Sequence, residues 1–161
     1  MNFAEVERDY IRSRILPDFE WMYFSRPTDH HPVGKPVDQC RVALVTTSGA
    51  YLRNRQGPFS TRNKLGDDSF RVIPNDIDPE EIALAHPGYD TKRALKDLDC
   101  VFPLGLLKQL RIEGAIREAA PRHFSFMGYV PFPEKLIAER VPLVGGALLD
   151  DGVDLVILVP S

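Results

Sequence analysis

The stretch DGVDLVILVPS, residues 151–161, decides how the fold of this chain is interpreted. Its run from Val153 to Val159 is almost wholly apolar, which is typical of a strand buried on both faces inside a parallel sheet. In open α/β proteins, functional groups collect at the carboxyl ends of such strands. We therefore expect an interior strand whose end lies at a functional site. The sequence shows no helix after it, so the predicted architecture is incomplete at the C-terminus.

Working back from this strand, the chain alternates between short strands and helices separated by many of its 14 prolines. The patterns predict helices over residues 3–16, 78–86, 91–99, 103–120 and 133–152, the last interrupted at Pro142. They predict strands within residues 40–52, 70–74, 123–130 and 153–159. This alternation favours an α/β fold with three layers, in which helices flank a mostly parallel sheet.

The domain organisation follows from the same pattern. Residues 1–39 form a predicted N-terminal helix and a proline-rich approach loop, and residues 40–161 form the predicted α/β domain. A length of 161 residues suits one domain with a substantial core, and no internal linker divides the chain. We expect a single domain overall.

Composition excludes several classes of protein. A net charge of −3 without a basic stripe argues against nucleic-acid binding. The apolar stretches are too short to span a membrane, and the first residues lack the apolar core of a secretory signal. The chain's two cysteines do not make a disulfide framework. We expect a cytoplasmic, reduced protein without a membrane partner.

The pair Ser48-Gly49 follows the first predicted strand. Its backbone N–H groups suit a small anion pocket, which makes both residues candidates for substrate binding. The glycine spacings of a dinucleotide fingerprint or a phosphate loop are absent. A plain turn after the strand explains the same two residues.

The segment HPGYD, residues 86–90, carries the most suggestive chemistry. His86, Tyr89 and Asp90 lie in a proline- and glycine-bearing loop, where functional side chains are often displayed. A histidine near a carboxylate can act as an acid or a base near neutral pH. A hydrogen-bonded turn that ties a helix to a loop is the alternative.

The remaining reactive residue types give weaker signals. Cys40 and Cys100 are each expected to be small buried residues, and the anions Asp97 and Asp99 beside Cys100 should raise the pKa of its thiol. His30 and His31 have no further ligand at a recognisable spacing, so we predict a solvated loop and no metal site.

Several stretches occur together in the order found in the selenoprotein B family, and the chain resembles that family over residues 40–161. The family contains the substrate-activating subunits of glycine, sarcosine and betaine reductases and the corresponding subunit of D-proline reductase. The stretches that carry the resemblance are RVALVTTSGAYL, GDDSFRVIPNDID, HPGYD, DLDCVFPLGLLKQLRIEGAI, HFSFMG and LLDDGVDLVILVPS.

The resemblance implies a reductive cleavage of a carbon–nitrogen bond in a small amino acid or amine. A selenocysteine or cysteine attacks the carbon that bears the amino group, and a dithiol such as a thioredoxin-like protein restores the nucleophile. In the amino-acid reductases a pyruvoyl group on a partner subunit first captures the substrate amine. The resemblance thus implies a partner reductase subunit and no cofactor in this chain.

In the family the nucleophile directly follows the strand that resembles VDLVILVPS, so the resemblance implies a nucleophile just after Ser161. One explanation is a reading frame that continues through an in-frame UGA codon. The other is a short paralogue that keeps the scaffold without the nucleophile. Relatives tend to carry Asn at Asp99 and an acidic residue at Gly105 or Leu106, which leaves the substrate open.

By the same resemblance we assign His86 and Asp90 catalytic roles and Tyr89 a substrate-binding role. Ser48 and Gly49 are substrate-binding candidates because of their position after the first predicted strand. The leading hypothesis is a reductase component of selenoprotein B type. The alternative is a non-catalytic α/β module that binds a small molecule or regulates a partner at the same place.

Overall fold

The structure is a computed structural model and describes residues 2–25, 28 and 31–161. The chain divides into two compact units, Met1–Pro32 and Val33–Ser161. In the first unit, helix α1 spans Phe3–Arg14 and begins at Asn2, whose side chain accepts a hydrogen bond from the Ala4 N–H. Trp21 Nε1 donates to the carbonyl of Ala4 at 2.8 Å, which folds the following segment back onto this helix.

The second unit holds the strands and the remaining helices. The strands are β1 (Arg41–Thr46), β2 (Ala50–Leu52), β3 (Arg71–Pro74), β4 (Ile82–Leu84), β5 (Glu118–Ala119), β6 (Arg122–Ser125) and β7 (Leu155–Val159). The helices are α2 (Thr91–Ala94), α3 (Leu104–Ile112) and α4 (Val141–Asp150). None of the described helices is both long and apolar enough to cross a membrane.

Strand β1 is the centre of the main sheet. Along one side it pairs with β5 and then with β6, and along its other side it pairs with β7, all in parallel. Strand β3 adds to β6 in the antiparallel direction, while β2 and β4 form a separate antiparallel pair. The sheet is therefore mostly parallel, as the alternation of elements predicts.

Alternate side chains of β1 face two different cores. Leu44 packs in a cluster with Leu104 and Leu107 of α3, whereas Val45 packs with Phe124 and with Val144 of α4. Because successive side chains of a strand point to opposite faces, helices cover both sides of the sheet. The predicted α/β class with flanking helices is confirmed.

The prediction that the last strand lies in the interior of the sheet is wrong for the chain described here. Strand β7 pairs with β1 alone among the described residues and so forms an edge of the sheet. Leu155 and Ile157 pack on one core, but the side chain of Leu158 on the opposite face is 73% exposed. An apolar run indicates that a strand packs against a hydrophobic core. It does not indicate whether the strand has neighbouring strands on one side or on both.

The predicted helix over residues 78–86 is also wrong. Asp78 does cap a turn that starts at Pro79, since its carboxylate accepts from the Glu80 N–H, but only the three 3₁₀-helical residues Pro79–Glu81 follow. The chain then extends as β4, whose three side chains are all buried and pair with β2. Pairing with a neighbouring strand overrides the local signal for a helix.

Other elements are shorter than predicted. The apolar region over residues 40–52 forms two strands separated by a turn, and the predicted helix over residues 91–99 is α2 followed by a 3₁₀ turn, Leu98–Cys100. The region over residues 103–120 contains α3 and then β5. Pro142 lies in the first turn of α4, directly after the π-helical stretch Leu136–Arg140, so the helical backbone continues through the position where an interruption was predicted.

Candidate functional site

Three parallel strands end at the same level of the sheet. Thr46, the last residue of β1, pairs with Ser125 at the end of β6 and with Val159 at the end of β7. We call this level the carboxyl edge, formed by these three residues and those that directly follow them. Open α/β sheets place their binding sites outside such an edge.

The short antiparallel pair brings the histidine loop to the carboxyl edge. Strand β2 starts just after the end of β1, and β4 runs back beside it, so that the Ala85 N–H donates to the carbonyl of Gly49 at 2.9 Å. Gly49 has a φ of +69°, and a Cβ at this position would lie 2.2 Å from the Ala85 oxygen. Only glycine fits here, and the turn it makes places His86 beside the end of β1.

The imidazole of His86 is held in one tautomer. The N–H of Gly88 donates to Nδ1 of His86 at 2.9 Å, so in the neutral ring the proton is on Nε2. Burial lowers the pKa of His86, which favours this neutral form. The ring is half-buried and therefore presents an N–H donor at the surface of the site.

Tyr89 connects the histidine loop to the end of β1. Its hydroxyl donates to the carbonyl of Ser48 at 2.6 Å, and its ring lies against the His86 ring with centroids 4.5 Å apart. Burial raises the pKa of Tyr89 to about 12, so the phenol stays protonated and keeps this hydrogen bond. The Tyr89 ring thus packs against His86 and helps to hold its imidazole in place. A substrate-binding role of Tyr89 stays a prediction.

The position of Asp90 four residues after His86 suggests a hydrogen bond between the two side chains, but Asp90 has other partners. Its carboxylate accepts from the N–H groups of Lys92 and Arg93, at 3.0 and 3.2 Å, and so caps α2. His86 instead uses the N–H of Gly88. The structure thus brings Asp90 and His86 into one loop without joining them as a hydrogen-bonded pair, and the catalytic role of Asp90 stays a prediction.

Ser48 and Gly49 are both buried. The hydroxyl of Ser48 lies 2.8 Å from Thr46 Oγ1 and 3.5 Å from Ser125 Oγ, and the latter accepts from the Ala50 N–H. These three hydroxyls join the ends of β1 and β6 beneath the surface. Ser48 is already engaged inside the protein, and its binding of substrate stays a prediction.

Two residues that the sequence analysis did not select lie at the exposed side of the carboxyl edge. A Cβ on Gly128, which has a φ of +90°, would lie 3.1 Å from both the Cβ and the carbonyl oxygen of Thr47 and 3.2 Å from Nε2 of His86. Gly128 therefore packs closely against Thr47 and His86, and a residue with a Cβ would crowd both. The sequence signal was weak: one glycine two residues after the buried Phe126, and one threonine just after β1.

The end of β7 reaches the same place. The N–H of Thr47 donates to the carbonyl of Val159 at 3.0 Å, and the N–H of Ser161 donates to Thr47 Oγ1 at 2.8 Å. Thr47 therefore contacts Ser161 and also lies close to Gly128. The loops after β1 and β7 and the histidine loop therefore meet at the carboxyl edge.

Neither cysteine lies at the carboxyl edge. Cys40 is buried just before β1, as predicted, and its thiol contacts the carbonyl of Pro36. The prediction that Cys100 is buried is wrong: it is exposed, because it lies in an open turn beside α2. A hydrogen bond to Asp97, together with the nearby charges of Asp97 and Asp99, raises the pKa of the Cys100 thiol as expected.

His30 lies outside the described residues, and His31 is exposed. Within residues 2–25, 28 and 31–161, no group of three or more histidine, cysteine or acidic side chains is arranged to hold a metal ion.

Comparison with known proteins identifies one family and several relatives. The family model described as glycine/sarcosine/betaine reductase selenoprotein B matches residues 17–161. The chain is 36% identical to the D-proline reductase subunit gamma of Acetoanaerobium sticklandii over 127 residues, which cover 79% of this chain and 51% of the relative. No solved structure gives a significant match.

Two further relatives are named glycine reductase complex component B subunit gamma. That of Peptoclostridium acidaminophilum is 30% identical over 128 residues, covering 77% of this chain and 28% of the relative. That of Carboxydothermus hydrogenoformans is 27% identical over 100 residues, covering 61% and 23%. The chain thus spans about half the length, or less, of the curated relatives it matches. The match over most of its residues shows that this chain belongs to the glycine/sarcosine/betaine reductase selenoprotein B family.

Proposed function

We propose that this chain provides the substrate-site scaffold of a reductase of the selenoprotein B type, which cleaves the carbon–nitrogen bond of a small amino acid or amine. The observation that carries the proposal is the meeting of three strand ends with the His86 loop. Ser161 contacts Thr47, and both Thr47 and Nε2 of His86 lie close to Gly128. A nucleophile that followed Ser161 would lie beside these groups.

In this proposal a selenocysteine or cysteine follows Ser161 in the full reading frame. The family resemblance supports a nucleophile at this position. The nucleophile forms a bond to the substrate carbon while the C–N bond breaks and the amine leaves. A thiol then attacks the selenium or sulfur, and the carbon departs with the bonding pair and takes a proton.

The resulting bridge between the two chalcogen atoms is reduced by a dithiol, which supplies the two electrons of the overall reaction. A thioredoxin-like protein in the cytoplasm is the kind of reductant that suits this step. The relatives are named as subunits, so a partner reductase subunit is part of the proposal. Such a partner, and not this chain, would carry a pyruvoyl group.

Two measurements on the native protein test this function. Purified from its own cells, the protein should be heavier than 18.2 kDa and contain selenium, or an added cysteine, after Ser161. In the presence of its partner subunits and dithiothreitol, it should release ammonia from glycine or open the ring of D-proline by cleaving the bond between its α-carbon and its nitrogen. Replacement of that nucleophile by serine should abolish turnover. A native mass of 18.2 kDa combined with full turnover would contradict the proposed nucleophile.

One observation favours the alternative, a binding or regulatory module without catalysis. Of the chain's two cysteines, Cys40 is buried away from the carboxyl edge, and the thiol of Cys100 has a raised pKa. Neither suits a nucleophile that must ionise near neutral pH. Ligand binding at the carboxyl edge, without turnover in the complete complex, would support the module.

A further inference from the structure

Strand β7 leaves the regular hydrogen-bond pattern of a parallel ladder directly after its end. The N–H of Thr47 donates to the carbonyl of Val159 at 3.0 Å, so a continuing ladder would bring the N–H of Ser161 to the carbonyl of Thr47. The N–H of Ser161 instead donates to the side-chain hydroxyl of Thr47 at 2.8 Å. The hydroxyl thus takes the place of a backbone carbonyl, and the regular pairing with β1 ends there.

Pro160 lies between these two contacts and limits how the chain can move, because its ring fixes φ at about −65°. Val159 is held by the N–H of Thr47 and Ser161 by the hydroxyl of the same residue, so both neighbours of the proline are attached to Thr47. Ser161 is exposed, and within residues 2–25, 28 and 31–161 it makes no hydrogen bond other than that to the hydroxyl. The position of Ser161 therefore depends on Thr47.

Thr47 is also close to the imidazole of His86. A Cβ on Gly128 would lie 3.1 Å from the Cβ of Thr47 and 3.2 Å from Nε2 of His86, so these two atoms are at most 6.3 Å apart. The neutral His86 ring carries its proton on Nε2, because the N–H of Gly88 donates to Nδ1. Thr47 thus connects the end of β7 to the neighbourhood of this N–H donor.

We infer that Thr47 is a positioning residue, whose side-chain hydroxyl fixes where the residue after Ser161 lies relative to His86. This inference rests on the proposed function, in which the residue after Ser161 is the nucleophile. The hydroxyl limits the positions that the nucleophile samples, and a nucleophile held in one place reacts faster than one that moves. Thr47 acts through the nucleophile and not by touching the substrate.

Three variants separate the hydroxyl of Thr47 from the shape of its side chain. Thr47→Val keeps the branched shape and the backbone bond to Val159 but removes the hydroxyl. Thr47→Ser keeps the hydroxyl and removes the methyl group. Thr61→Val is the matched control, because Thr61 is exposed and its hydroxyl makes no hydrogen bond within the part of the chain that the structure describes.

The first measurement is the rate at which the Ser161 amide hydrogen exchanges with solvent, followed by NMR of the isotopically labelled chain. Thr47→Val should speed this exchange about fivefold or more, which corresponds to the loss of one hydrogen bond. Thr47→Ser and Thr61→Val should each leave the rate within about twofold of that in the unaltered chain. Thr47→Ala, which also lacks the hydroxyl, replaces Thr47→Val if the latter lowers the melting temperature by more than about 4 °C.

The second measurement is turnover by the complete reductase complex that contains the native nucleophile. Thr47→Val should lower kcat about tenfold or more while KM stays within about twofold, because the nucleophile is misplaced and the substrate site is unchanged. Thr47→Ser should retain most of kcat, and Thr61→Val should retain all of it.

The inference is overturned if Ser161 exchanges equally fast in Thr47→Val and in the unaltered chain, if Thr47→Ser behaves like Thr47→Val, or if Thr47→Val leaves kcat unchanged in an active complex. Failure of the proposed function looks different, since the complex that contains the unaltered chain would then show no turnover. The exchange rates of Ser161 would in that case still decide whether the Thr47 hydroxyl holds the chain in place.

Discussion

His86 and His123 show how one residue type serves two different purposes in this protein. Each accepts a hydrogen bond on Nδ1 from a backbone N–H, that of Gly88 at 2.9 Å and that of Leu44 at 3.1 Å. Each has a pKa lowered by burial. They differ in what the second ring nitrogen meets.

Nε2 of His123 contacts the side-chain oxygen of Asn75 at 3.3 Å inside the protein, and the ring is fully buried against Phe102. Nε2 of His86 lies beside the exposed Gly128, and its ring is only half-buried. A histidine with both nitrogens satisfied internally is part of the structure. A histidine with one nitrogen at an open surface is available to a ligand.

The position of His123 has a specific cause in the sheet. Along one side, β1 pairs first with β5 at Val42 and then with β6 at Val45, which leaves the N–H of Leu44 between the two strands. The imidazole of His123 supplies the missing acceptor. Without it, a buried N–H would be left unsatisfied in the middle of the sheet.

We therefore expect His123→Ala to cause the largest loss of stability. This change removes the acceptor for Leu44 and leaves a cavity beside Phe102, so we expect the free energy of unfolding to fall by about 3 kcal/mol. His123→Asn should recover part of the loss, because its side-chain oxygen can replace Nδ1. Urea unfolding monitored by circular dichroism measures both. Equal losses for Ala and Asn would show that the hydrogen bond is unimportant.

The pH dependence of stability should reflect the same histidine. The pKa of His123 is lowered from 6.5 to about 4, mainly by burial and also by the charge of Lys108. Between these values the unfolded chain binds a proton that the folded chain does not. The free energy of unfolding is therefore at its full value above pH 6.5 and falls by about 3 kcal/mol as the pH drops to 4.

Urea unfolding measured between pH 6.5 and pH 4 tests this dependence of the free energy of unfolding on pH. His123→Asn is the control, and in this variant most of the pH dependence should disappear. Asp67 and Asp154 also have lowered pKa values, so they add a loss of stability in the acid range, as the pH falls through and below 3.8. A slope that persists unchanged in His123→Asn would assign it to other groups.

A smaller effect is expected where the histidine loop is attached to β1. Tyr89→Phe removes the hydrogen bond to the carbonyl of Ser48 while keeping the ring against His86, and should lower the free energy of unfolding by about 1 kcal/mol. Tyr23→Phe, whose side chain is 83% exposed, should change it by less than about 0.5 kcal/mol. Thermal unfolding compares the two, and equal melting temperatures would argue against the proposed support of His86.

The smallest effect on stability is expected from His86→Asn. The half-buried ring has one internal hydrogen bond, which Asn can replace, so the free energy of unfolding should change by about 0.5 kcal/mol or less. A loss as large as that of His123→Ala, measured in the same urea experiment, would remove the distinction between the two histidines.

Several local features could be predicted from the sequence because they depend on neighbouring residues only. Asp78 before Pro79 is recognisable as the start of a helical turn, and the two apolar runs of β1 and β7 are recognisable as strands. The histidine loop is recognisable by its proline and glycine. The family itself follows from the order of six such stretches.

Other features could not be predicted, because they depend on which strands become neighbours. The residues of β4 have a helix signal but pair with β2, and the apolar strand β7 lies at an edge. Ser48 is buried by contacts with β6, whereas Thr47, one residue earlier, is half-buried beside the exposed Gly128. Adjacent residues at the end of a strand point to opposite faces of the sheet. The register of the sheet therefore decides which of the two side chains is accessible to solvent.

The sequence by itself therefore determined the family, the α/β class and the loop that carries His86. These depend on residue order, composition and short-range turn chemistry. The tertiary structure alone decided that His86 bonds Gly88 and not Asp90, that His123 completes the sheet, and that Thr47 and Gly128 border the site. These contacts join residues far apart in the chain, and they exist only because the parallel strands end at one level.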